Sequence, residues 1–374
     1  MKHLASECEL LEQHLPGFAS AASALSFEQR EKRGSPLLAM FKEYGGINLA
    51  IPTRHGGKGL SAADMVRVQR ALGYLSPSLA LATNMHQFSV ATLVEMAKST
   101  DGVEWMLLQA VAESRLYIAS AFAEGRAGAS ILQPFLEATP MGSDFIINGT
   151  KKPCSLSGSM DLITVSLEIP SDNGPKLAVA MLPADTPGIE VRPFWKSSIL
   201  EASESEEVVF NDVLVNEKLI SYSGNSSELD QVQLSGFIWF ELLLTASYLG
   251  AGSRMLEALI STERTSDVDL VYVSSKLESG AHMLKALALQ FDANETDQND
   301  LLGHILMARY QIQEILELTS CRSVEALGGM RFISDPEIAY LLSATRALAF
   351  HPPSRAAMTP NLAKWIRGAE LIIC

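Results

Sequence analysis

The spacing of histidine, serine and glycine excludes the commonest kinds of active site. The seven histidines form no HxH or HExxH pair, and no Asp/Glu cluster lies at ligand spacing, so a metal centre is not expected. Ser157 and Ser235 precede glycines but lack the GxSxG pattern of serine hydrolases. The GxGxxG dinucleotide fingerprint does not occur either. A cofactor bound by scattered backbone groups remains open.

Several modest motifs follow one another along the chain. A PxxxGGxGL-like opening within IPTRHGGKGL comes first, and AFAEGRAGAS, KKPCSLSG, FNDVLV and VEALGGMRF follow. In this order they resemble the motifs of the acyl-CoA dehydrogenase superfamily, over about residues 38–350. The two most specific matches are the opening (Pro52, Gly56, Gly57, Gly59, Leu60) and the FxDVxV strand (Phe210, Asp212, Val213, Val215).

The resemblance implies an α+β fold with an N-terminal helical domain, a middle antiparallel β-barrel or sandwich, and a C-terminal four-helix bundle. It also implies FAD bound between the β-domain and the bundle, and completed by a second subunit of a homodimer or homotetramer. The implied substrate is an acyl-CoA or a carrier-protein-bound acyl group. In such enzymes the flavin carries the electrons, and the protein positions and tunes it.

Two loops of the strand region match the flavin-contacting motifs of this family. AFAEGRAG corresponds to TEPxAGSD, where Glu124 and Gly128 match and alanines replace the hydroxyl residues. KKPCSLSG corresponds to KxWITNG, with Pro153 in place of the Trp. A roomier and more polar flavin face is therefore expected. The small residues left to face the cofactor are Cys154, Ser155 and Ser157.

Three further positions match groups that meet the FAD phosphates or the neighbouring subunit. Gly328 and Gly329 correspond to the GG turn near the pyrophosphate, where the lack of Cβ lets the backbone approach phosphate. Arg264, in STERTSD, corresponds to the Arg of an RxxFG motif whose Phe and Gly are missing. The resemblance implies a cofactor contact for Arg264, and a solvated charge at a helix end is the alternative.

The catalytic carboxylate is the largest departure from the family. Most acyl-CoA dehydrogenases remove the α-proton with the Glu of a YEGT motif. Here His351 aligns with the Tyr and Pro352 with the Glu, and a prolyl side chain cannot accept a proton. Some relatives carry the base on the first bundle helix, where Glu241 lies one residue beyond the aligned Phe240. Proton abstraction therefore falls to Glu241 or His351. The other interpretation of Glu241 is a neutralised or hydrogen-bonded core residue.

A His before Pro at this site resembles the HDP-like motif of flavin-dependent monooxygenases that share the fold. Those relatives carry a second His on an N-terminal helix, matched here by His86 in TNMHQ. Imidazole titrates near physiological pH, so it can hydrogen-bond or relay a proton beside a reduced flavin. In this interpretation His86, Ser155 and His351 surround the cofactor. Many dehydrogenases also have a His near position 86, so the motif does not decide between the two.

Three functions stay open on the sequence alone. The first is FAD-dependent oxidation of an acyl thioester in a specialised pathway. The second is a flavin-dependent monooxygenase or oxidase that uses the same pocket. The third is a degenerate, non-catalytic subunit, because several family motifs are eroded.

The elements that position these residues divide the chain into three predicted domains. Residues 1–115 have helical periodicity, as in SAADMVRVQRALGYL, where Ser61 is a cap and Met65, Val68 and Leu72 recur on one face. Short β-branched runs between turn clusters fill residues 116–225. Residues 226–374 are helical again, with long segments at 230–263, 270–293 and 299–327. This order is typical of an α+β fold with a ligand cleft between unlike domains.

The composition of the chain limits the classes of binding partner and indicates the cellular compartment. The 374 residues are 47% apolar and carry 29 Lys+Arg against 43 Asp+Glu, a net charge of −14 that disfavours nucleic-acid binding. The four cysteines are scattered and form no CxxC pair. Glutamates interrupt the first residues, and Glu241 interrupts the most apolar run. A cytoplasmic protein without a secretory signal or membrane span is therefore expected.

Overall fold

The computed structural model describes residues 3–99, 103–125, 134–136, 138–170, 176–222 and 230–373. The order of element types confirms the predicted α+β class, because helices come first, strands follow and helices return. The N-terminal helices are α1 (Ala5–His14), α2 (Phe18–Ser23), α3 (Phe27–Glu31), α4 (Leu37–Glu43), α5 (Ala62–Leu75), α6 (Pro77–Ser99) and α7 (Glu104–Ser114). Helix α5 forms as the pattern predicts, since the Ser61 hydroxyl accepts from the Asp64 N–H, and Met65, Val68 and Leu72 are buried.

Within the described residues, eight strands form two sheets that pack on each other. The strands are β1 (Ile118–Ala121), β2 (Ala138–Met141), β3 (Asp144–Cys154), β4 (Leu162–Ile169), β5 (Lys176–Pro183), β6 (Ile189–Arg192), β7 (Glu206–Asn216) and β8 (Ile220–Tyr222). One sheet has the order β1-β4-β5-β8 and the other β2-β3-β7-β6. The expected antiparallel pairing holds at every ladder except β1–β4, which is parallel. Strands β2 and β3 intervene in the chain, so no tight hairpin fixes the direction of β1 relative to β4.

The C-terminal helices pack around one long, apolar member. They are α8 (Gln231–Ile260), α9 (Asp267–Ala293), α10 (Gln298–Leu327), α11 (Gly329–Ser334), α12 (Pro336–Arg346) and α13 (Arg355–Ile366). Helix α8 contacts α5 and α6 of the N-terminal region and α9, α10 and α12 of the C-terminal region. It is the one described helix whose length and composition would suit a membrane span, but 83% of its apolar window is buried in the protein.

Two glycines set the close crossing of α5 and α8. A Cβ at Gly73 would lie 2.0 Å from the Ser247 carbonyl oxygen, and a Cβ at Gly250 would lie 2.2 Å from the Arg70 carbonyl oxygen. Such distances are far inside van der Waals contact, so only glycine fits at either position. The crossing therefore fixes α8, the helix that carries Glu241, against the N-terminal helices.

Candidate active site

His351 lies in a loop whose geometry is set by helices α8 and α10. The loop runs from the 3₁₀ turn Ala347–Phe350 to α13 and contains the cis Pro352–Pro353 peptide bond. The imidazole Nε2 lies 2.7 Å from the hydroxyl oxygen of Tyr248, on α8. Removal of the ring from water, followed by the nearby Arg309 charge, lowers the pKa of His351 to about 3. The ring is therefore neutral at physiological pH.

Glu241 is completely buried and pairs with Arg309 of α10. The Arg309 Nη1 lies 2.7 Å and 2.8 Å from the two carboxylate oxygens. Both side chains are at most 1% exposed. Burial raises the pKa of the Glu241 carboxyl, and the Arg309 charge and hydrogen bonds oppose that rise. The carboxylate contacts its guanidinium partner and not the His351 ring.

Arg309 also holds the backbone of the His351 loop. Its Nη2 donates to the carbonyl oxygens of His351 at 2.5 Å and Leu348 at 3.2 Å, and its Nη1 lies 3.4 Å from that of Pro352. The next residue, Tyr310, donates its hydroxyl to the Pro353 carbonyl oxygen at 2.9 Å. We call this group, Glu241, Arg309 and Tyr310, the loop clamp. It links two positions that the sequence put forward separately, Glu241 and His351.

His86 lies elsewhere, between α6, the 3₁₀ turn Gly46–Asn48 and β1. Its Nε2 donates to the Ile47 carbonyl oxygen at 3.0 Å, and its Nδ1 accepts from the Ile118 N–H at 3.1 Å. The Tyr117 ring packs edge-on against the imidazole. Complete burial lowers the pKa of His86 to about 4. Both ring nitrogens are thus used by the backbone, and His86 shares no described contact with His351.

Two of the predicted cofactor-facing residues, Ser155 and Ser157, lie just after β3 and form a network of hydrogen bonds with the segment before β7. Ser155 lies 2.8 Å from the Ser205 hydroxyl, which lies 2.7 Å from that of Ser203. Ser157 donates to the Glu204 carbonyl oxygen at 2.8 Å. The network ties the end of β3 to the segment before β7.

Cys154 points away from that network. Its thiol lies 3.5 Å from the Ser120 carbonyl oxygen inside the β-sandwich, and the side chain is completely buried. Burial alone raises the pKa of Cys154 to about 12. The thiol is therefore a protonated core group in this structure.

The Glu124 side chain is engaged within the β-region. It accepts from the buried Lys151 ammonium at 2.5 Å and from the N–H groups of Phe135 and Leu136. Burial lowers the pKa of Lys151, and Glu124 opposes this shift. Gly128, the other predicted residue of this loop, lies outside the described residues.

The predicted phosphate-binding positions are open. A Cβ at Gly328 or Gly329 would meet no heavy atom within 4 Å, so a ligand can approach the backbone there. Arg264, in the turn between α8 and α9, is exposed and forms no ion pair with the part of the chain that the structure describes. An open glycine backbone and an unpaired guanidinium are a donor set that suits a flavin phosphate. These residues fit the group that the sequence implies.

A cavity of about 550 Å³ is lined by residues of α6, α8 and α9 and by Pro52, Gly59 and Leu60 of the matched opening motif, but by none of the predicted site residues. Trp239 and Phe291 pack edge-on at its wall. The indole N–H of Trp239 is buried and has no described acceptor.

Arg309, Tyr248 and Tyr310 contact His351 or its loop, and the sequence analysis did not put them forward as candidate site residues. One signal was available: Arg309 lies in LLGHILMARYQI, where a lone cation interrupts an apolar helix. Glu241 interrupts another apolar helix in the same way. Buried charges are almost always paired. A lone cation in one apolar helix and a lone anion in another therefore predict an ion pair between the two helices.

No family model matches the chain. Isobutylamine N-hydroxylase from Streptomyces viridifaciens is 41% identical over 100% of both chains. L-prolyl-[peptidyl-carrier protein] dehydrogenase from Serratia sp. is 20% identical over 76% of each. KijD3 in complex with FMN and dTDP-3-amino-2,3,6-trideoxy-4-keto-3-methyl-D-glucose superposes with a TM-score of 0.85 at 16% identity, covering 99% of this chain and 95% of that one. The chain therefore belongs to the acyl-CoA dehydrogenase-like family of flavin-dependent oxidoreductases.

Proposed function

We propose that this enzyme is a flavin-dependent monooxygenase that N-hydroxylates a small aliphatic primary amine. The observation that carries the proposal is the state of Glu241. Among the described residues it is the carboxylate of the His351 loop clamp, and both its oxygens contact Arg309. Dehydrogenation of an acyl thioester needs a carboxylate that is free to take the α-proton. The full-length similarity to an amine N-hydroxylase also supports N-hydroxylation over dehydrogenation.

Residues on the surface of the helical bundle would hold the flavin. The open backbone of Gly328 and Gly329 would meet the phosphate region of the flavin. Arg264 would supply a cation, either to the flavin of its own subunit or to that of a second subunit. Reduced flavin, whether FAD or FMN, supplies the two electrons that activate molecular oxygen. FAD, the homo-oligomer and the cytoplasmic location stay predictions.

The chain itself supplies a neutral, polar site. His351 is uncharged, and the Arg309 charge is balanced by Glu241, so neither repels an amine. An amine attacks an electrophilic oxygen only through its free lone pair. A neutral imidazole orients such groups by hydrogen bonding and does not have to exchange a proton with bulk water.

Oxidation of a carrier-bound acyl group is the second candidate, supported by the similarity to prolyl-carrier dehydrogenases. One experiment separates the two. The purified enzyme is mixed with reduced FAD or FMN and oxygen in the presence of isobutylamine, other primary amines, or acyl-CoA thioesters. We expect amine-dependent oxygen consumption with formation of a hydroxylamine. Bleaching of bound oxidised flavin by an acyl thioester without oxygen would instead establish dehydrogenation.

A further inference from the structure

We infer that Tyr248 is a positioning residue that fixes His351 as the neutral tautomer protonated on Nδ1. His351 then presents one hydrogen-bond donor of fixed direction to the site. This role rests on the proposed function for its use in catalysis, but the tautomer itself is a property of the protein alone.

The contact between the two rings is short and secluded. The Tyr248 hydroxyl oxygen lies 2.7 Å from His351 Nε2, and the ring centroids are 5.5 Å apart. Tyr248 is 2% exposed. Within the described ranges its hydroxyl has no other hydrogen-bond partner, whereas His351 is only partly buried and its Nδ1 makes no hydrogen bond.

This arrangement decides which atom is the donor. If Nε2 carried the proton and donated to Tyr248, the phenolic O–H would need a second acceptor, and no described group supplies one. A buried donor without an acceptor costs roughly 1–3 kcal/mol. If Tyr248 donates to a bare Nε2, the phenolic O–H and the Nε2 lone pair satisfy each other. The imidazole proton is then on Nδ1, which makes no hydrogen bond to a described residue.

The charged groups around the ring favour a neutral imidazole. Arg309 of α10 donates to the His351 carbonyl oxygen, so a guanidinium lies close to the imidazole. Its partner Glu241 of α8 balances the charge but does not touch the ring. Tyr310, the other titratable group of the clamp, points at Pro353. Burial raises the pKa of Tyr248 well above its ordinary value, so the phenol keeps the proton that it donates.

The fixed tautomer determines which chemical role His351 can have. A histidine held in this state donates a hydrogen bond and does not act as a general acid or base. It can orient an oxygen atom or a substrate carbonyl through Nδ1–H while the proton stays on the nitrogen. A low basicity of the imidazole would disable a general base. It has little effect on the activity of a residue that only donates a hydrogen bond.

The test measures the tautomer directly. Full-length protein labelled with ¹⁵N-histidine is examined by long-range ¹H–¹⁵N spectroscopy, and the signal lost in His351→Gln assigns the ring. We expect an unprotonated Nε2 and a protonated Nδ1, unchanged between pH 8 and pH 5. In Tyr248→Phe the Nε2–H form should gain roughly tenfold relative to the wild type, the equivalent of one hydrogen bond.

Tyr310→Phe is the matched control, because it removes a tyrosine hydroxyl of α10 that bonds to the Pro353 carbonyl oxygen of the same loop and not to the imidazole. It should leave the His351 tautomer unchanged. A protonated Nε2 in the wild type overturns the inference, and so does a Tyr248→Phe spectrum equal to that of the wild type. Both measurements need no substrate, so failure of the amine assay would overturn the proposed function and leave the tautomer result intact.

A catalytic readout then tests the use of the donor. If Nδ1–H orients the reacting group, Tyr248→Phe should lower kcat about tenfold and leave KM for the amine within about twofold. A purely structural role would not move the tautomer together with kcat. Full activity in a variant whose tautomer has shifted would overturn the positioning role.

Discussion

The carboxylate of Glu241 and the guanidinium of Arg309 form a buried ion pair that anchors the loop of His351. The pair joins two apolar helices, α8 and α10, at 2.7 Å and 2.8 Å. The Nη1 and Nη2 groups of Arg309 also donate to three carbonyl oxygens of residues 348–352. A carboxylate at the position of an alternative catalytic base thus stabilises the loop in which His351 lies.

Glu241→Gln tests this anchoring role through stability. Removal of one partner leaves the other charge buried and uncompensated, which costs about 3–5 kcal/mol. We expect the free energy of unfolding in urea to fall by that amount. Glu317→Gln removes the exposed partner of Arg346 and should change it by less than about 1 kcal/mol. Equal effects of the two substitutions would contradict the buried clamp.

His351→Ala separates catalysis from cofactor binding. The imidazole contacts Tyr248 and lies apart from the open Gly328–Gly329 backbone, so its loss should leave flavin affinity unchanged. We expect kcat to fall by roughly 10²-fold or more, as for removal of a positioned acid–base or hydrogen-bonding group. The measurements are flavin fluorescence titration and initial rates. Retained turnover would remove His351 from the active site.

The burial of His86 predicts loss of stability in mild acid. Its pKa of about 4 in the fold lies below the ordinary 6.5, so the unfolded chain binds the extra proton. The stabilising contribution is therefore complete above about pH 6.5 and is lost as the pH falls toward 4. At pH 5 this amounts to about 2 kcal/mol relative to pH 7.

His86→Gln provides the comparison, since an amide can donate to Ile47 and accept from Ile118. Urea unfolding at pH 7 and pH 5 should show a smaller acid-induced loss in this variant than in the wild type. Identical pH dependence in both proteins would show that His86 is not buried as a neutral ring.

The thiols predict a contrast in reactivity. Cys154 is fully buried with a pKa of about 12, whereas Cys321 is exposed on α10. Because the thiolate is the reactive form, iodoacetamide at pH 8 should label Cys154 at least roughly a hundredfold more slowly than Cys321. Peptide mass spectrometry of the native enzyme measures both rates. Fast labelling of Cys154 would show that this thiol is accessible, as a position facing the cofactor, which the sequence predicted, would require.

The fold could be predicted from the sequence, but only part of the candidate site could be predicted in this way. Cap residues and apolar spacing predicted α5, and the long segment 230–263 corresponds to α8 at Gln231–Ile260, because these signals are local. Motif order identified the family. The partner of Glu241 could not be found in this way, since Arg309 lies 68 residues away and its pairing depends on how two helices pack.

The roles of His86 and Cys154 depend on the same kind of long-range information. The family motif places each near a cofactor, but a motif does not specify which way a side chain points. In the structure the His86 nitrogens bond to Ile47 and Ile118, and Cys154 faces Ser120. These contacts bring together four separate segments, the 3₁₀ turn Gly46–Asn48, α6, β1 and β3, which meet only in the folded chain.

The central claim is that this enzyme transfers oxygen to an amine. The most direct measurement supplies reduced flavin, isobutylamine and isotopically labelled molecular oxygen to the purified enzyme and identifies the product by mass spectrometry. The account predicts a hydroxylamine whose oxygen carries the label. An absence of labelled hydroxylamine across a panel of primary amines, together with flavin reduction by an acyl thioester under anaerobic conditions, would contradict it.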